Sequence, residues 1–194
     1  MHTAAALAAS MLILSCLNMG FSYPNGAPPS SCSSMKPGHG YNGQNRTVPY
    51  YLTLSKNTYY CGDEITVTLA ALKGFNFTGF LCQARPDQAD NATTGTLYGE
   101  YSKTTNNCDG KGSVTHSTRD LKESMVLKWK ANSNYTSVTF VCTVVQDKAT
   151  YWVKGLQSGV TFSGSGDCSI GEAVNPGVTI QMLMLLISSI NFLM

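Results

Sequence analysis

Charge is scarce in this chain. Asp, Glu, Lys and Arg make up 12% of 194 residues and the formal net charge is +2, so the dense cationic face that holds a nucleic-acid backbone is not expected. The closest approach to a basic stretch runs from Lys111 to Lys130, where Lys111, Arg119, Lys122, Lys128 and Lys130 outnumber Asp120 and Glu123. It reads as a solvated strand-and-loop face, with contact to an anionic glycan or lipid as the second reading. Histidine is scarcer still. His2, His39 and His116 stand apart, and no cysteine pair has C-x-x-C spacing, which argues against a metal centre or a dithiol redox site. His39 and His116 sit in Gly- or Ser-rich surroundings with no nucleophile motif nearby, so a hydrolytic enzyme has no machinery to rest on. No interior segment pairs a basic face with an apolar one at helical spacing, which removes the usual basis of direct membrane lysis. No cofactor is implied.

What is plentiful points to a β protein. Gly contributes 18 residues, and Ser, Thr and Asn are scattered throughout, a composition that suits short strands joined by turns. Residues 23 to 49 are rich in Pro, Gly, Ser and Asn and read as an extended, irregular lead-in. Strand signals then follow at Tyr50 to Leu54, Ile65 to Leu69, Gly79 to Ala84, Thr96 to Tyr101, Met125 to Lys130, Val138 to Val145 and Thr150 to Lys154. Seven or so such strands in a region of roughly 140 residues predict one all-β domain, a β-sandwich. In the Met125 strand, Met125, Leu127 and Trp129 share a face opposite Lys128 and Lys130, which assigns Trp129 to the core.

The two ends read as addressing signals. Residues 1 to 22 have an apolar run from Ala4 to Leu17 and small residues at Gly20 and Ser22, the pattern of a secretory signal peptide, although residues 1 to 35 hold no Lys or Arg. Residues 166 to 194 end in an apolar tail from Val178 to Met194, behind the small-residue cluster Ser163 to Gly166. The tail's 17 residues would make a helix of about 26 Å, short of the roughly 30 Å hydrocarbon core. No basic residue follows it, so the segment reads as a glycosylphosphatidylinositol attachment signal rather than a permanent span. Candidate attachment residues are Ser163, Ser165 and Ser169; the first two would discard Cys168 and the third would keep it. The central domain is thus expected over residues 23 to 165, outside the cell.

With Cys16 in the signal, six cysteines remain: Cys32, Cys61, Cys82, Cys108, Cys142 and Cys168. An even number behind a signal peptide implies disulfides, with 15 full pairings possible. Alternation places Phe80, Cys82 and Ala84 on one face, and Phe140, Cys142 and Val144 on one face of their own strand. If both faces point inward, Cys82 and Cys142 could bridge the two sheets, closing a loop of about 60 residues that contributes roughly 4 kcal/mol in the chain-entropy model. Cys32 and Cys108, in turn-rich stretches, are then candidates to pin the lead-in, leaving Cys61 for Cys168. N-x-[ST] sequons at Asn45, Asn76, Asn91 and Asn134 point to a glycosylated ectodomain.

Several segments in order resemble the Reeler (reelin N-terminal) domain, found in reelin, F-spondin, ferric-chelate reductase-like proteins and small arthropod defence proteins. They are Tyr23-Pro24-Asn25-Gly26-Ala27-Pro28 leading to Cys32, Met35-Lys36-Pro37-Gly38-His39, and Gly74-Phe75-Asn76-Phe77-Thr78-Gly79-Phe80-Leu81 with Gln83-Ala84-Arg85. Later come Asn107-Cys108, Trp129-Lys130-Ala131, Val138-Thr139-Phe140 with Thr143-Val144-Val145, and Tyr151-Trp152-Val153. The resemblance implies an immunoglobulin-like β-sandwich and a disulfide matching Cys32 to Cys108. Two departures stand out: Asn132 occupies a position usually held by Pro, and Cys82 and Cys142 replace small or apolar residues. Relatives that reduce iron carry further haem-binding domains for which this chain has no room.

The function expected is a non-enzymatic binding or adhesion module at the cell surface, engaging an extracellular protein, glycan or microbial surface component, with a role in innate defence. A directly antimicrobial secreted protein is the alternative and a hydrolytic enzyme the least favoured. The candidate contact residues are Tyr41, Tyr50, Tyr51, Tyr98 and Tyr101, because exposed aromatics supply contact area at low entropic cost.

Overall fold

A computed structural model describes residues 25–86, 92–105, 108, 110–165 and 168. The signal peptide, Asn91, Ser169 and, apart from Cys168, the C-terminal tail from residue 166 lie outside these.

The described chain is an all-β sandwich of two sheets. The smaller sheet has the order β1 (Tyr50–Leu54), β3 (Glu64–Ala71), β8 (Ser124–Lys130), β5 (Thr96–Tyr98). The larger has the order β2 (Thr58–Tyr59), β10 (Tyr151–Phe162), β9 (Ser137–Val145), β4 (Gly79–Pro86), β7 (Ser113–His116), β6 (Ser102–Thr104). All pairings are antiparallel except β2 on β10. Period-two alternation accounts for the layering. Met125, Leu127 and Trp129 of β8 and Ile65, Val67 and Leu69 of β3 turn inward against Phe80, Phe140 and Val144 of the larger sheet. Trp129 is fully buried, with Tyr59 and Phe140 edge-on at 5.2 and 5.6 Å between ring centres. Its indole N–H donates to the Thr94 carbonyl at 2.8 Å, which satisfies the one polar atom that burial would otherwise strand.

The outer faces of the two sheets have different fates. On the larger sheet, Leu81 of β4 and Val141 of β9 form a second small apolar cluster that needs cover, and the lead-in supplies it with Met35 and Ala27. Backbone anchoring does the rest: Thr143 Oγ1 donates to the Met35 carbonyl at 2.9 Å, and the Gln44 N–H donates to the Tyr151 carbonyl at 2.8 Å. Gly26, at φ +102°, is where the lead-in comes nearest to β7; a β-carbon there would lie 2.6 Å from the His116 carbonyl oxygen. Beneath the lead-in, Gln83 accepts from Arg85 Nε and Nη2 at 3.0 and 2.8 Å and donates to the Cys32 carbonyl at 2.9 Å. Both side chains are buried, and these hydrogen bonds offset the cost of taking the pair out of bulk solvent. Among the described residues the smaller sheet has no such cover, and along β8 its exposed outer positions alternate with buried inner ones.

Three disulfides join Cys32 to Cys108, Cys61 to Cys168 and Cys82 to Cys142. The expectation that Cys82 and Cys142 span the two sheets is corrected. They are direct partners on adjacent antiparallel strands β4 and β9 of one sheet, with Cα atoms 4.2 Å apart. Both do point into the core, but packed sheets lie about 10 Å apart, whereas close cross-strand pairs lie about 4.5 Å apart.

Two strand limits also differ from expectation. Thr96 to Tyr101 is not one strand: β5 ends at Tyr98, and the chain turns through Gly99 and Tyr101, the latter at φ +53°, into β6 of the other sheet. β10 runs on to Phe162, well past Lys154, after a bulge between Trp152 and Leu156 where Lys154 takes φ +50°.

Candidate functional site

The open face of the smaller sheet carries the most exposed aromatic surface among the expected contacts. Register places Tyr51 beside Ala70, Thr68 between Thr53 and Val126, and Lys128 between Thr66 and Tyr98. Tyr51, Tyr98 and Val126 are 44%, 39% and 53% exposed, and Tyr101, in the turn after β5, is 71% exposed. Tyr98, Glu100, Tyr101, Ser124, Val126 and Lys128 border an open depression of about 670 Å³. One ionic contact organises it: Lys128 Nζ lies 2.8 Å from Glu64 Oε1, and the Tyr98 hydroxyl donates to Glu64 Oε2. Those two bonds hold the Glu64 carboxyl below its usual range, raise Lys128, and raise the Tyr98 hydroxyl through its bond to Glu64. The face therefore presents aromatic rings, threonine hydroxyls and a fixed ion pair, a mixture suited to polar surfaces.

The other sequence-derived residues distribute as follows. Tyr50 is corrected: it is buried, its hydroxyl donates to the Asn76 carbonyl at 2.8 Å, and its ring packs edge-on to Phe77 and Trp152. Tyr41 is exposed in the lead-in, and its carbonyl accepts from the Tyr151 hydroxyl. Of the basic stretch, Lys122 is not solvated like its neighbours. Its ammonium donates to the carbonyls of Asp120, Thr118 and Thr78 at 2.6, 2.9 and 3.3 Å, and burial lowers its pKa. Asn45 and Asn134 are exposed and Asn76 is half-buried. Ser163 and Ser165 are exposed just past β10, where the Ser163 N–H donates to the Tyr59 carbonyl at 2.9 Å.

The two histidines, far apart in sequence, border one cleft of about 410 Å³ between the lead-in and the end of the larger sheet. His39 Nδ1–H donates to the Lys148 carbonyl at 3.0 Å, and His116 Nδ1 accepts the Phe80 N–H at 3.1 Å. Hydroxyls near them serve the backbone: Thr115 Oγ1 donates to Phe80 O at 2.7 Å, Thr78 Oγ1 to Gln146 O at 3.1 Å and Ser31 Oγ to Lys36 O at 3.2 Å. Sequence reading could not place His116 here, because β7 is buried on both faces and shows no alternation. Among the described residues no cluster of three or more His, Cys, Asp or Glu is placed to hold a metal.

Comparison with known proteins decides the family. The profile of the Reeler domain matches residues 30–167. The chain belongs to the Reeler domain family. It is 35% identical over 174 residues to a Danio rerio protein named as a candidate ferric-chelate reductase, covering 85% of this chain but 29% of that protein. It is also 34% identical over 144 residues to an Antheraea mylitta protein named as a candidate defense protein, covering 73% of this chain and 87% of that one. The chain thus spans less than a third of the reductase relative and most of the defence relative. The human F-spondin reeler domain superposes with a TM-score of 0.54 at 20% identity, over 63% of this chain and 94% of that one, a likeness of fold. Within this Reeler domain, Asn132 Oδ1 accepts the Gly95 N–H at 2.9 Å and ties the β8–β9 loop to the turn before β5.

Proposed function

We propose that this Reeler domain is a non-enzymatic recognition module displayed outside the cell, and that the open face of the smaller sheet engages glycan or protein on a microbial or matrix surface. The observation that carries the reading is the contrast between faces. The lead-in covers the larger sheet, whereas Tyr51, Tyr98, Tyr101 and Val126 stay in solvent on and beside the smaller one. Aromatic rings left in solvent rather than packed into the core are suited to an external partner. A defence role draws on the relative named for defence, which this chain matches over most of its length; iron reduction draws no comparable support, since the reductase relative is matched over 29% of its length.

Tethering by a glycosylphosphatidylinositol lipid belongs to the same proposal. The Cys61–Cys168 bridge favours Ser169 over Ser163 and Ser165 as attachment residue, because attachment at either earlier serine would remove Cys168. Among the described residues no helix is long and apolar enough to cross a membrane.

The test expresses the full chain in animal cells, releases it with phosphatidylinositol-specific phospholipase and applies it to glycan, matrix and microbial-surface arrays, beside a vesicle-leakage assay. Release, binding without leakage, and a loss of about tenfold or more in the Tyr98→Ala/Tyr101→Ala variant are expected. Leakage without specific binding would overturn the recognition reading, and retention of the protein on phospholipase-treated cells would overturn the anchor.

A further inference from the structure

The cleft that gathers His39 and His116 plays no part in the open-face proposal. It is a separate concavity, formed where the lead-in crosses the starting end of β4 and the finishing ends of β7 and β9. We propose that it is a binding site for a small amphipathic anion, an apolar body carrying a single carboxylate.

Shape, lining and charge support this together. Its volume of about 410 Å³ falls in the range of small-molecule sites, roughly 300–1,000 Å³. Ala27, Pro28, Pro37, Leu81 and Val145 give it apolar walls, and His116, Arg119 and Lys148 stand at its border. The one acid among the lining residues is already committed. Asp147 Oδ1 accepts the N–H groups of Ala149 and Thr150 at 2.8 and 2.9 Å, closing the β9–β10 turn. Arg119 and Lys148 outnumber Asp147 among the lining residues, which leaves the mouth net positive, with Lys148 forming no ion pair among the described residues. Two glycines keep the site shaped. At Gly79 a β-carbon would lie 2.8 Å from His116 Cε1, and Gly26 permits the close crossing already described. The lead-in is fastened on both sides of the cleft, through Cys32–Cys108 and through the Met35 and Gln44 hydrogen bonds, so little ordering cost attends binding.

The probe is decanoate, titrated calorimetrically into the full chain expressed in animal cells and collected from the medium or by phospholipase release, with decanol as the uncharged counterpart. Saturable one-site binding is expected, with decanol at least about tenfold weaker. Removing the charges in Arg119→Gln/Lys148→Gln should weaken decanoate about tenfold or more. Filling the cleft with Val145→Phe should abolish binding, while Tyr98→Ala/Tyr101→Ala should leave it unchanged. Absence of saturable binding, equal affinity for decanol, or an undiminished Arg119→Gln/Lys148→Gln variant would each overturn the site. The last comparison decides even if Val145→Phe fails to fold, and the tyrosine variant keeps the outcome separate from that of the open face.

Discussion

Cys82 and Cys142 are register partners on neighbouring strands, 4.2 Å apart at Cα, and their bridge faces the core between β4 and β9. The two strands are already paired by eight residues of ladder, so the bond adds no new neighbour to the native state and acts through the unfolded chain. Its sequence separation of 60 gives an expected loss of about 4 kcal/mol for Cys82→Ala/Cys142→Ala. Urea unfolding should show a lower midpoint with an unchanged β-type circular dichroism spectrum. A loss of β signal in native buffer would mean that the bridge is needed to form the sheet.

Gly95 is the tightest point around the buried tryptophan. It holds φ +69°, and a β-carbon would sit 2.2 Å from Trp129 Nε1 and 2.6 Å from the Lys130 carbonyl oxygen. Gly95→Ala must therefore push the indole away from the Thr94 carbonyl or break the β5–β8 edge, a cost expected to exceed about 2 kcal/mol. Asn132→Ala, which removes the acceptor shared by the Gly95 N–H and, at a longer 3.5 Å, the Thr94 hydroxyl, should cost about 1 kcal/mol. Thermal melts should rank the variants in that order, and a red shift of tryptophan emission should accompany only the glycine change.

Alternation made the inward and outward faces of β8 legible, because Met125, Leu127 and Trp129 meet the core while Lys128 and Lys130 meet water. It could not say which strands are neighbours, so it placed Cys82 and Cys142 on inward faces and their bridge in the wrong direction. Where both faces are covered the signal vanishes. β7, under the lead-in, was not legible for that reason, and the second half of β10 was hidden by Gly155, Ser158 and Gly159, which imitate a turn. Tyr50 and Tyr51 necessarily face opposite ways along β1, but only the packing of Phe77 and Trp152 against Tyr50 decides which is inside. The cleft joins residues more than 100 positions apart, such as His39 and Lys148, and no local pattern encodes that.

The polar pair beneath the lead-in gives a test of how the lead-in is held. Gln83→Leu conserves shape but removes two hydrogen bonds to the buried Arg85 guanidinium and one to the Cys32 carbonyl. A loss of about 3 kcal/mol is expected, partly recovered in Gln83→Leu/Arg85→Met, where the buried guanidinium is removed along with the Gln83 acceptor. Hydrogen exchange should quicken at Cys32 and Met35 in the single variant while β8 stays protected. Equal protection of the lead-in in both proteins would show that Cys32–Cys108 alone suffices.

Tyr50 supplies the pH dependence. Burial, reinforced by the charge of Asp147, pushes its hydroxyl up to about 12 from an ordinary value of 10.0, with Arg46 opposing. The neutral phenol is thus favoured by folding. Its contribution is fully present below about pH 10, where the unfolded tyrosine is still protonated, and is lost as pH rises from there through the folded value. Tyr50→Phe keeps the ring packing but removes the ionisable group and the 2.8 Å bond to the Asn76 carbonyl, at a cost of about 1 kcal/mol near neutrality. Above pH 10 the variant should lose stability less steeply than the parent, so that the gap between their unfolding midpoints narrows and then reverses. The remaining tyrosines are common to both proteins and cancel in the difference. Parallel alkaline limbs in urea unfolding would show that the Tyr50 hydroxyl ionises as readily folded as unfolded, and that its burial carries no penalty for the charged form.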